Sequence, residues 1–79
     1  MKLNYTVTLS SIDIFQTIDA LSSRAESYEQ TARYLKGNYD VNADIVIEEC
    51  RDHREAQAIA KHFRDIIKKI EEQIYHCHE

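Results

Sequence analysis

The chain closes on Tyr75-His76-Cys77-His78-Glu79, where two imidazoles flank a thiol and a carboxylate follows. Thiolate and imidazole are zinc ligands, so the first chemistry to test is a metal- or thiol-dependent centre built on His76, Cys77 and His78. Geometry argues against it. On a helix, successive side chains point about 100° apart, so the three cannot face one atom. On an extended chain His76 and His78 share a side while Cys77 faces away. Glu72 and His76, four apart, supply only two ligands. Structural zinc takes four, usually grouped in spaced pairs, and that spacing is absent here. The expectation is a helix end with no bound metal and no cofactor.

Cys50 is the second thiol. Arg51 and His53 follow it, close to an expected helix N-terminus. Such a setting lowers a thiol pKa and favours nucleophilic or redox chemistry. The simpler reading is a small apolar residue closing a corner between two elements. A helix between Cys50 and Cys77 spans on the order of 35 Å, far beyond disulfide reach within one chain. It also keeps His53 away from the terminal histidines.

Binding is the other possibility. Arg54, Lys61 and Lys68 recur every seven residues, with Arg64 alongside. That stripe could meet an acidic partner or a nucleic-acid backbone. Asp65 and Glu72 interrupt it, and no aromatic rings interleave as stacking platforms, so nucleic acid is an unlikely partner. Tyr34 and Tyr39 fall outside the apolar pattern. With the basic stripe they mark a candidate interaction surface, because half-exposed tyrosines make good interface anchors. No paired carboxylates are spaced for general acid–base work, and one glycine cannot build a phosphate-cradling loop. The sequence therefore points away from an enzyme.

The elements that position these residues follow from periodicity. Leu3, Tyr5, Val7 and Leu9 alternate with polar residues, the pattern of a half-buried strand over about 2–9. Ser10 and Asp13 have capping-box spacing. Ile14, Ile18, Leu21, Ala25, Tyr28, Ala32 and Leu35 then mark one stripe of a helix over about 11–36, ended by Gly37. Ser22-Ser23 with Glu26 is a second capping signal, but the stripe passes through it in phase. Ile12 and Phe15 lie off the stripe and are expected to cover the first strand. Ile45-Val46-Ile47 suggests a short strand inside a segment of about 38–50. Asp52 and Glu55 open a last helix over about 52–76, whose stripe runs Ala56, Ala60, Phe63, Ile67, Ile70, Ile74 and Cys77, widened by Ile59 and Ile66.

The expected fold is a single α+β domain over 1–79, mostly helical, in the order β-α-β-α. Two long amphipathic helices pack together, an antiparallel pair being favoured, beside two short strands. A parallel β-α-β-α two-layer unit has the same element order. The four alanines of the stripes allow close backbone approach.

Bulk properties set the frame. Seventy-nine residues make a thin core, which small domains commonly supplement with a disulfide, a metal or a second subunit. One glycine and no proline imply few sharp turns. Net charge is −4, with no basic excess to suggest general nucleic-acid binding. The opening residues lack a signal-peptide core and no stretch has the length of a membrane span, so a cytoplasmic location with reduced thiols is expected. The functional expectation is a small non-enzymatic accessory or protein–protein interaction module that forms a homodimer, with some other protein partner also possible. The metal- or thiol-dependent protein and the weak nucleic-acid binder are the alternatives.

Overall fold

The computed structural model describes residues 3–37 and 48–76, His76 by its backbone alone. Two helices pack into a small helical hairpin: α1, Ser11–Leu35, and α2, His53–His76.

The ends of both helices follow from local chemistry. The Ser10 hydroxyl accepts the Asp13 backbone N–H at 3.2 Å, satisfying one of the donors that a helix start leaves open. Gly37 adopts φ +100°, the left-handed conformation that glycine reaches without a Cβ penalty, and its N–H reaches the Tyr34 carbonyl at 3.1 Å. Nothing breaks α1 at Ser22-Ser23. Asp52 caps α2 through Oδ1, which accepts the Glu55 N–H at 2.9 Å. Glu55 does not complete a reciprocal box: its carboxylate lies 3.3 Å from Arg51.

The two stripes face each other. Ala25 and Ala32 of α1 and Ala56, Ala60 and Ile67 of α2 are the buried apolar residues among those described. Ile14, Ile18, Leu21 and Tyr28 flank them on α1, and Ile59, Phe63, Ile66, Ile70 and Ile74 on α2, all half-buried. The rings of Tyr28 and Phe63 stack across the interface with centroids 6.0 Å apart. Leu35, expected at the end of the α1 stripe, is exposed instead, because α1 stops there.

The expected α+β architecture is not what forms. No strand and no sheet occurs among the described residues, so neither the β-α-β-α order nor the parallel two-layer unit applies. Residues 3–10 carry the alternation of a strand but have no regular structure, and Leu3, Tyr5, Val7 and Leu9 are all exposed. Alternation and β-propensity are necessary for a strand, yet the ladder itself requires a partner. The expected partner, about residues 44–49, lies mostly outside the described residues, and Glu48–Cys50 have no regular structure. Ile12 and Phe15, expected to cover that first strand, are consequently exposed as well.

Alanine at the closest approach of two helices leaves no room for a larger side chain. Ala56→Leu, at a fully buried position, should lower unfolding free energy by about 1–3 kcal/mol, whereas Ala58→Leu on the exposed face should change it by no more than about 0.5 kcal/mol. Urea denaturation followed by circular dichroism measures both, and equal costs would contradict this packing.

Candidate functional site

Three groups of side chains stand out from a plain helical hairpin. The first joins the helices through charge. Arg64 of α2 donates Nε to Glu29 Oε2 at 3.1 Å and Nη2 to Glu29 Oε1 at 2.9 Å, a bidentate pair. Its Nη1 donates to Ser22 Oγ at 3.1 Å. One guanidinium thus spans two turns of α1, since Ser22 and Glu29 are seven apart and share a face. The hydrogen bonds from Arg64 hold the Glu29 carboxyl below its ordinary value, against a weaker opposing effect of burial. Hydrogen bonding to Glu29 raises the Arg64 pKa in turn.

The second group fastens the chain entering α2 onto α1. Thr31 is fully buried, and its hydroxyl donates to the Ser27 carbonyl at 2.8 Å while accepting the Glu48 N–H at 2.8 Å. The Glu48 carboxylate accepts from Arg24 Nη1 at 2.6 Å. Arg24 also donates to the Tyr28 hydroxyl at 3.2 Å, with its guanidinium carbon 5.2 Å from that ring's centroid. No buried side-chain polar atom among the described residues lacks a partner.

The third group is apolar and uncovered. Leu3, Tyr5, Val7, Leu9, Ile12 and Phe15 recur from the N-terminal arm through the first turns of α1. Neither periodicity nor charge marked this run as a surface. The alternation of 3–9 looked like half of a sheet, which hid its exposure.

The residues singled out by sequence are distributed as follows. Arg54, Lys61 and Lys68 lie exposed along one face of α2. Lys61 is engaged by Asp65 four residues on, Nζ to Oδ2 at 2.9 Å, which holds the Asp65 carboxyl below its ordinary value. Arg64 was placed with this stripe, but it turns toward α1 and serves the helix interface. Tyr34 is exposed in the last turn of α1. Tyr39, Cys77 and His78 lie outside the described residues, and the side chain of His76 does too. Among the described residues no three His, Cys, Asp or Glu side chains converge on a common point.

Cys50 departs from the reactive alternative that its sequence neighbours leave open. Arg51 and His53 suggested a lowered thiol pKa. Burial instead pushes it up, and the negative charges of Glu55, Glu48 and Asp52 push it further in the same direction. Arg51 is drawn to Glu55 rather than to the thiol. The thiol is therefore held protonated, the opposite of what a nucleophile needs.

No family model matches this chain, and no curated protein or solved structure does either. Among the described residues no helix is long and apolar enough to cross a membrane.

Two outcomes follow. Because the folded Glu29 pKa is depressed, its contribution to stability is present above the ordinary value of 4.5 and is lost as pH falls through the lower folded value. Arg64→Ala should cost on the order of 1 kcal/mol at neutral pH, discounted for partial exposure, and the deficit should shrink in acid below that window. Denaturation of both proteins across the range checks this; a deficit independent of pH would assign the loss to packing. In a Cys77→Ser background, Cys50 should be alkylated by iodoacetamide at neutral pH more slowly than free cysteine. A faster reaction would place it among activated thiols.

Proposed function

We propose that this chain is a non-catalytic accessory or protein–protein interaction module that associates with itself as a homodimer. One observation carries the reading. The buried apolar residues of the helix interface are four alanines and one isoleucine, the larger ones around them being only half-buried, while nine large apolar side chains among the described residues remain exposed. Scattered exposed apolar residues are ordinary on a protein surface, but six within thirteen residues are the kind of concentration that marks an interaction site. A thin core of this type gains stability when a second subunit covers that patch.

A non-catalytic role rests on the chemistry of the groups present. Arg64, Glu29, Arg24, Glu48 and Thr31 are consumed in holding the hairpin together. Cys50, the thiol within the described residues, is disfavoured as a thiolate. These arrangements support a scaffold that presents a surface.

Sedimentation equilibrium at low micromolar concentration tests the reading. The expected result is twice the mass of one chain, with dissociation on dilution. A folded species at the mass of one chain, unchanged as concentration rises, would overturn it.

A further inference from the structure

We infer that the second copy docks on the patch formed by Leu3, Tyr5, Val7, Leu9, Ile12 and Phe15, so that the same patch of each chain meets the other about a two-fold axis. This inference rests on the self-association proposed above and specifies where it occurs.

Area is the first argument. The six residues are between 45% and 82% exposed. Side chains of these sizes at such exposures present on the order of 700 Å² per chain, against roughly 800 Å² per partner in a stable interface of standard size. The six are also close in sequence: the arm runs directly into α1 at the Ser10 cap, and Ile12 and Phe15, three apart, share a helix face just beyond it. Tyr5 and Phe15 are the large aromatic side chains in the patch, the residue type on which interface energy concentrates.

Charge is the second argument, and it selects the occupant. The chain carries a net charge of −4, so two copies repel in general. Between Leu3 and Phe15 the only charged side chain is Asp13. This is the stretch through which two acidic chains meet with least like-charge repulsion. An anionic lipid surface would instead be met by a cluster of lysine or arginine around the apolar residues; here Lys2 flanks Leu3 and no further lysine or arginine occurs before Arg24. A strongly charged protein partner would find nothing here to pair with. A second copy offers an apolar patch of the same kind, with Asp13 as its one charge. An isologous contact of this kind closes at two subunits and does not propagate to a fibre.

The test uses the full chain and measures the dimer dissociation constant by sedimentation equilibrium. Tyr5→Asp and Phe15→Asp should each weaken the dimer by about tenfold or more, and the double variant should run as one chain. Tyr75→Ser, which removes an exposed aromatic residue of α2, should leave the dissociation constant unchanged. Far-ultraviolet circular dichroism should show unaltered helix in all four variants. If Phe15→Asp disturbs α1, Tyr5→Asp decides alone, because residue 5 precedes both helices. A dimer whose dissociation constant moves with Tyr75→Ser but not with Tyr5→Asp overturns the placement and leaves self-association standing. A single-chain mass for the unaltered protein overturns both. Binding of a monomeric chain to phosphatidylcholine vesicles, lost in Tyr5→Asp, would overturn the second-copy occupant in favour of a lipid surface.

Discussion

The structure depends on how close two backbones can come. Ala25 and Ala56 are fully buried and Ala32 and Ala60 nearly so. Small side chains at a helix crossing let the axes approach, and close approach multiplies weak dispersion contacts. It also limits what the interface can bury: an alanine removes little apolar area from water compared with leucine or isoleucine. Helix–helix contact here is therefore tight but modest in hydrophobic content. The larger apolar residues lie around its rim, half-covered, and on the arm, uncovered.

That limit explains why polar contacts matter more here than in a bundle with a leucine-rich core. Arg64 satisfies three acceptor atoms on α1, and the Thr31 hydroxyl satisfies a backbone carbonyl and a backbone amide at a fully buried point. An exposed ion pair contributes little, because solvent competes for both partners. A bidentate pair with a third hydrogen bond is geometrically selective even when its net energy is small. A buried hydroxyl with donor and acceptor roles both filled avoids the cost that an orphaned polar group would carry.

Much of the hairpin was legible in the sequence. The four–three spacing from Ile14 to Ala32 and from Ala56 to Ile74 marks the inward faces, and Ser10, Gly37 and Asp52 mark ends that the structure places within a residue or so. Helix signals are local, so one chain contains them in full. The first strand was misread for the converse reason. Leu3, Tyr5, Val7 and Leu9 carry the right alternation, but a strand is completed by a partner that local pattern does not specify. The pKa of Cys50 is likewise not legible from its neighbours in sequence, which leave an activated thiol open as the minor alternative. Arg51 is adjacent in the chain, yet its guanidinium turns to Glu55, and the carboxylates around the thiol dominate. Arg64 was assigned to an outward basic stripe because it adjoins Lys61 and Lys68, and only the position of Glu29 across the interface shows its inward role.

An interface lined by alanine is smooth as well as close. Interlocking leucines give each helix deep ridges and grooves, so a shift along the axis meets a steep barrier; alanines leave shallow ones. The alanine contacts alone discriminate weakly between alignments one helical turn apart, and the Tyr28–Phe63 stack adds to what discrimination they give. Arg64, gripping Ser22 and Glu29, and Thr31, gripping the Glu48 amide, act as detents on that slide. A chain lacking both would rely for its register on the Tyr28–Phe63 stack and the isoleucines around it.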